Sequence, residues 1–252
     1  MGLGDMFTMN GATRKLLEKY KKIIVVCKKE YVKTVRQMYS DEPRISVYPL
    51  NNIGCLADLN DPIYDQHHRY TYKFTGYYDK KLFDKLSGYF FEKFYLQLGF
   101  HYKDKVKYEK LIRNHDLENK IYNQFKQCYG QKYIFTHDHR GYIPHYNPRT
   151  LVHIPKNAIP IFHPNINYYV PNESYYDLWE IKWNRQIYDN ILHYCKIIEN
   201  AEEIHVRDSC FSCLCHFLDL SKVKKKVLYT NLTRDLMIKY SDKFTEWTFV
   251  QI

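Results

Sequence analysis

Short apolar runs alternate along this chain with stretches whose apolar residues recur every three or four positions. Lys22–Cys27 (KIIVVC), Tyr133–Thr136, Ile204–Val206 and Val227–Thr230 are such runs, with Ile45–Tyr48 a shorter one. A strand covered on both faces reads this way, and parallel sheets are built from such strands. The helical stripes between them include Ala12, Leu16, Leu17 and Tyr20, then Tyr31, Val32, Val35, Met38 and Tyr39. Strand and helix taking turns define an α/β fold. Further helices are expected over 80–98, 116–128, 178–199 and 210–218, and over part of the tail from 235, which ends in an apolar segment. Short strands are expected at 151–154 and 160–163, whereas 51–78 reads mostly as loop. A boundary near residue 130 gives two Rossmann-like halves, 1–130 and 131–252. The first half lacks the strand that should precede Asn10, so its first strand is expected to be missing.

Composition limits what such a fold can do. The 252 residues are 45% hydrophobic and 26% charged, enough to bury a core in one large or two small domains. No apolar run approaches the roughly 18 residues of a membrane span. Asp5, Arg14, Lys15 and Glu18 break up any leader-like segment at the start. Seven cysteines, an odd number, then suit reduced thiols, and a cytoplasmic location is expected. The net charge of +10 attracts polyanions or phosphorylated small molecules. The basic residues are scattered, however, with Lys222–Lys226 the one dense run, so no specific nucleic-acid partner is expected.

Two stretches carry the candidate chemistry. In the segment from Glu203 to Leu214 (EIHVRDSCFSCL), a buried strand ends at a turn through Asp208 and Ser209, and a helix begins at Cys210. Ser209 suits the N-cap, where its hydroxyl accepts an amide of the first helical turn. A helix start beyond the carboxyl end of a strand is where open α/β sheets hold phosphate. Gly2-Leu3-Gly4-Asp5 is turn chemistry leading into a helix; its backbone could approach an anion, and Asp5 could serve as a general base.

Other clusters read as structure. His137-Asp138-His139 has the look of a metal site, but Gly141 signals a turn that would scatter its ligands; Asp65, His67 and His68 lack clear ligand spacing too. Cys210, Cys213, Cys215 and His216 fall on one short helix where only Cys210 and Cys213 share a face, which suits small buried side chains better than zinc. No metal and no cofactor is expected. The aromatic residues Tyr89, Phe90, Phe91, Phe94 and Tyr95 lie at helical spacing and read as core.

Met1-Gly2-Leu3-Gly4-Asp5-Met6-Phe7, followed by Asn10-Gly11 and an amphipathic helix, resembles the amino-terminal signature of heptosyltransferase-like glycosyltransferases. Tyr133–Asp138 and Glu203–Ser212 are similar to motifs of small glycosyltransferases from bacterial and large-virus surface-glycan clusters. The second also resembles the Ser-Ser-Phe segment of fucosyltransferase-like enzymes. The likeness covers most of the chain outside 51–80.

The resemblance implies a GT-B architecture, two Rossmann-like domains facing a cleft. It also implies a nucleotide-sugar donor as substrate and a glycan or glycolipid acceptor. Asp5 maps to the catalytic base, and Gly4 before it to the donor-binding residues. His137, Asp138 and Arg140 map to the donor side, with His137 and Arg140 stabilising the leaving group. Asp208, Ser209 and Phe211 map to the diphosphate-binding turn. Cys210 stands where relatives often carry serine, and Arg207 could add positive potential without a metal. Two other readings stay open: a non-catalytic nucleotide- or glycan-binding relative, and a basic nucleic-acid-binding protein.

Overall fold

The structure is a computed structural model that describes residues 2–50, 71, 73, 75, 79–138, 159–162 and 190–251. It is a mixed α/β protein in which the two sheets among the described residues are both parallel. The chain divides into two compact units, 1–113 and 114–252. The boundary thus precedes the one expected near 130, because the helix before Gly130 packs with the second unit. None of the described helices is long and apolar enough to cross a membrane.

In the first unit, α1 (Leu3–Thr8) and α2 (Asn10–Lys15) precede β1 (Ile23–Lys28), α3 (Val32–Met38) and β2 (Ile45–Leu50). β1 and β2 pair in parallel from Ile23↔Ile45 to Lys28↔Leu50, with α3 as the crossover. Two expectations change here. Residues 3–8 are helical, so Gly4 and Asp5 sit in a first helical turn instead of a glycine loop, and neither Gly2 nor Gly4 has positive φ. β1 is not covered on both faces either: Cys27 is buried, but Ile24 is 36% exposed, and β2 is its sole partner strand among the described residues.

The break between α1 and α2 has a specific cause. The Tyr95 hydroxyl donates to the Thr8 carbonyl at 3.1 Å and accepts the Ala12 amide at 3.2 Å. It thereby occupies the place of the i→i−4 bond that would join those two groups, and an inserted side chain of this kind bends a helix. On either side the ladder resumes, with Met9 N–H to Asp5 O and Thr13 N–H to Met9 O.

Tyr95 belongs to α5 (Phe90–Gln97), which follows α4 (Lys80–Lys85) and precedes α6 (Asp104–Tyr108). The single helix expected over 80–98 is interrupted because Gly88 takes φ +105°, a conformation that favours glycine. Asp79 caps α4 through the Leu82 amide, and Glu92 accepts the Tyr89 amide ahead of α5. Phe91, Phe94 and Tyr95 are buried as expected, whereas Tyr89 and Phe90 are exposed. A helix three to four residues per turn cannot bury five neighbours on one side.

The second unit begins with α7 (His115–Tyr129), capped by Asn114 and closed at Gly130, φ +80°. Phe125 on α7 packs edge-on against Tyr133 at 4.7 Å, and the Tyr133 hydroxyl donates to the Ile197 carbonyl at 2.6 Å. Five strands follow: β3 (Ile134–Asp138), β4 (Ile159–Phe162), β5 (Glu203–Arg207), β6 (Lys225–Thr230) and β7 (Thr248–Gln251). They lie in the order β4-β3-β5-β6-β7.

The helices expected over 178–199 and 210–218 are shorter among the described residues. The extended Asn190 opens a 3₁₀ turn, Ile191–Tyr194, that runs into α8 (Cys195–Glu199), so no helix passes through position 190. Ile191, Tyr194, Cys195 and Ile198 face the core as expected. Then come α9 (Cys210–Cys215) and α10 (Arg234–Tyr240). The apolar tail is β7, an edge strand added in parallel to β6. The strand expected at 151–154 lies outside the described residues, as does the helical segment before 190.

Candidate functional site

The strand order locates a crevice. From β3 the chain adds β4 on one side, then returns to place β5 on the other side of β3 and proceeds outward through β6 and β7. Consecutive connections thus leave in opposite directions from the gap between β3 and β5. In open parallel sheets, ligands sit outside the carboxyl ends of the strands at such a reversal. The register puts His137 beside Val206 there, with Arg207, Asp208 and Ser209 next along the chain.

Ser209 is the hub. Its backbone is extended and its hydroxyl oxygen accepts the Phe211 amide at 3.2 Å, the N-cap bond expected from the sequence. Ser212 completes a reciprocal cap: its hydroxyl accepts the Ser209 amide at 3.1 Å and donates to the Ser209 carbonyl at 2.7 Å. From the neighbouring strand, His137 Nδ1 lies 3.0 Å from the Ser209 hydroxyl. The imidazole is only 1% exposed and rests on the Phe211 ring at 4.5 Å, which in turn packs against Phe135 and Tyr194. His137 is therefore a buried support for Ser209, out of reach of a ligand in the crevice; the expected direct contact with a leaving group is corrected on that ground.

Three other expected positions change role with it. The Phe211 ring is buried beneath the sheet, and its amide is taken by Ser209, so Phe211 belongs to the core. Cys210 is buried as well, and desolvation pushes its thiol up to about 12. α9 has only six residues, too few for a strong helix dipole. Asp208 is exposed, yet crowding by the surrounding atoms raises its carboxyl above the usual range against the pull of Arg207. Asp138 ends β3 opposite Phe162. Arg140 and His139 lie outside the described residues.

Comparisons with protein-family models, with curated proteins and with solved structures return no match. Function is therefore to be read from the side chains.

In the first unit, Asp5 Oδ2 accepts the Gly2 amide at 2.7 Å across the first turn of α1, and the Gly4 carbonyl accepts the Thr8 hydroxyl at 3.1 Å. Burial raises the Asp5 carboxyl; the Gly2 amide and Lys28 oppose that. Lys28 is the last residue of β1, so Asp5 lies in electrostatic range of the carboxyl end of that strand. Polar contacts hold the segment that follows. Asn10 Oδ1 accepts the Lys110 amide at 2.8 Å, Lys15 pairs with Asp104 at 2.6 Å, and Arg14 pairs with Asp41 at 2.8 Å. Gly11 permits the approach: a Cβ there would meet the Lys105 carbonyl and the Tyr95 hydroxyl, each at 3.0 Å.

The cysteine cluster is structural. Burial pushes the Cys215 thiol up, and His216 Nδ1 lies 2.6 Å from the Ser241 hydroxyl. Among the described residues no group of three or more His, Cys, Asp or Glu side chains is placed to hold a metal.

One polar chain is not evident in the sequence. His205, buried in β5, bonds Tyr229 Oη through Nδ1 at 2.9 Å and Glu203 Oε2 through Nε2 at 3.1 Å. The carboxylate only accepts, so Nε2 bears the proton and a neutral ring takes the Tyr229 hydroxyl proton on Nδ1. The His205 bond is the main cause holding the Glu203 carboxyl below its usual range, with Lys225 assisting. This chain ties β5 to β6 on the sheet face opposite His137. The i, i+2 spacing of Glu203 and His205 was the available signal.

Proposed function

We propose that the chain is a glycosyltransferase of GT-B type, moving a sugar from a nucleotide-sugar donor to a glycan or glycolipid acceptor without a metal. In this reading the second unit binds the donor diphosphate and the first contributes the acceptor side. The observation that supports it best is the Ser209 hydroxyl, half-buried and backed by His137, at the reversal point between β3 and β5.

The chemistry would divide as follows. Departure of a nucleoside diphosphate concentrates negative charge on the leaving oxygens, and fixed donors aimed there lower the barrier. Ser209 supplies such a donor, with Arg207 as the nearby cation. Asp5 would accept the proton of the acceptor hydroxyl; a carboxyl raised by burial is a better base than an ordinary one.

Thermal shift with a panel of nucleoside diphosphates and nucleotide sugars tests the reading. Stabilisation by at least one of them, together with sugar transfer or donor hydrolysis abolished by Asp5→Asn, is the expected result. No stabilisation by any member of the panel would overturn it. The Asp5–Gly2 bond favours a second reading, a non-catalytic nucleotide- or glycan-binding protein, since it already engages the carboxylate. Binding with no transfer or hydrolysis by the unsubstituted chain would establish that reading instead.

A further inference from the structure

We propose that the α4–α5 corner of the first unit is a docking surface for a bilayer that carries anionic lipid. The inference goes beyond the donor-site reading and needs no nucleotide. Six large hydrophobic side chains are exposed among the described residues, and three of them, Leu82, Tyr89 and Phe90, fall between positions 82 and 90. Apolar side chains scattered singly over a surface need no explanation, whereas a cluster of them marks an interaction site.

The corner is built to hold these side chains outward. Phe83 turns into the core and packs against Phe90 at 6.0 Å and Phe94 at 6.3 Å. Phe91, Phe94 and Tyr95 take the buried side of α5, which leaves Phe90 on its flank, 46% exposed although its ring leans on Phe94 at 4.5 Å. On α4 the Leu86 amide donates to the Leu82 carbonyl at 3.2 Å, so the two leucines stand one turn apart on the same side, Leu82 exposed and Leu86 half-buried. Gly88, at φ +105°, and Glu92, which accepts the Tyr89 amide at 2.8 Å, fix the turn that presents Tyr89 and Phe90.

Charge decides what covers this surface. Its three carboxylates are engaged within the corner: Asp79 accepts the Leu82 amide at 3.1 Å, Asp84 pairs with Lys80 at 2.5 Å, and Glu92 holds the Tyr89 amide. Lys81 and Lys85, exposed and one turn apart beside Leu82, enter no ion pair among the described residues. Lys93 lies over the Phe83 ring at 4.9 Å. Protein–protein interfaces are depleted of lysine, whereas helices that lie on bilayers set lysines beside Phe and Leu. On a bilayer the lysine stems run along apolar surface while their ammonium groups reach anionic headgroups. The net charge of +10 draws the whole chain to such a surface. Leu82 and Phe90 then enter the headgroup layer, and no membrane span is required.

The test is flotation of the full chain with phosphatidylcholine vesicles, with and without about a quarter of phosphatidylserine. Binding to the anionic vesicles, weakened by salt, is the expected result. Lys81→Gln with Lys85→Gln should lower it about twentyfold, since a lysine near an anionic surface contributes about fivefold. Leu82→Ser with Phe90→Ser should lower it about tenfold, through the apolar area withheld from the bilayer. Ile24→Ser and Leu232→Ser, exposed elsewhere, should leave it unchanged, as should Lys222→Gln with Lys224→Gln in the dense basic run. Phe90→Trp gives a readout that does not depend on the serine variants folding: its added fluorescence should shift to the blue on anionic vesicles and be quenched by brominated lipid. The proposal is overturned by absence of flotation, by full binding of the Leu82/Phe90 variant, or by an equal loss in the control variants. A Phe90→Trp signal that vesicles leave unchanged, or a dimer in solution that Phe90→Ser dissolves, overturns it too, the dimer assigning the surface to a second copy. None of these results bears on diphosphate binding, because no nucleotide enters the assay.

Discussion

Tyr95 holds the amide of Ala12 at 3.2 Å, in the position that the Thr8 carbonyl would occupy in an uninterrupted helix, while donating its own proton to that carbonyl at 3.1 Å. One phenol therefore decides that residues 3–15 form two helices, and it sets how the Asp5 turn is presented. Tyr95→Phe removes both bonds but lets the Ala12 amide and the Thr8 carbonyl meet directly. The net loss is predicted at about 1 kcal/mol, the usual worth of a buried hydrogen bond. That corresponds to roughly 2–4 °C in Tm for a chain of this size, measurable by calorimetry. An unchanged Tm would mean that the hydroxyl has no such role.

Gly11 should be less forgiving. A methyl group there meets the Lys105 carbonyl and the Tyr95 hydroxyl at 3.0 Å and the Lys105 Cα at 3.1 Å, two of them backbone atoms of α6 that cannot rotate away. Gly11→Ala is predicted to destabilise by about 1–3 kcal/mol, the range for overpacking, outweighing the gain in helix propensity. Urea denaturation with the m-value unchanged would show it; a stabilised variant would refute the close approach of α2 and α6.

Asp5 and Asp41 should respond to pH in opposite senses. Burial raises the folded-state value of Asp5, so its contribution to stability is complete below the unfolded carboxylate value and is lost as pH rises through the raised one. Asp5→Asn keeps an oxygen for the Gly2 amide and is predicted to be more stable than the unsubstituted chain near neutrality, the advantage vanishing in acid. Asp41 is lowered instead: partial burial pushes its carboxyl up, but the hydrogen bonds from Arg14 and Lys110 prevail. Its contribution is present above the unfolded value and lost as pH falls through the folded one. Asp41→Asn is therefore predicted to lose stability at neutral pH and little in acid, by a small amount because the pair is near the surface. Denaturation midpoints across the acid range check both signs.

The thiols should separate by reactivity. Burial pushes Cys27 up to about 11 and Cys210 up to about 12, while Cys213 is half-exposed on α9. A thiolate is the reactive form, so a brief pulse of iodoacetamide on the folded chain should modify Cys213 ahead of Cys27, Cys195, Cys210 and Cys215. Peptide mass spectrometry reads the order, and early labelling of Cys210 would contradict its placement in the core.

Much of the scaffold was legible in advance because it is written in local periodicity. The apolar runs at 22–27, 133–136, 204–206 and 227–230 fall almost wholly within β1, β3, β5 and β6, and Ser209 caps the helix after its strand. The errors came where one residue overrules a pattern. Gly88 stops a helix that the aromatic stripe would continue, and the extended Asn190 keeps position 190 out of the helix expected over 178–199; the apolar end of the tail, to which spacing assigned no element, pairs with β6. Apolar runs that short fit either a helix or a strand until a neighbouring edge accepts them.

What the sequence alone determined is the alternation of strand and helix, since apolar spacing and capping residues act over a few positions. Only the tertiary structure decided that His137 and Ser209, 72 residues apart, face one another, and that Tyr95 enters the helix ladder at Thr8 and Ala12. A shared proton requires two atoms to stand about 3 Å apart. That separation follows from strand order and register, which no local spacing encodes.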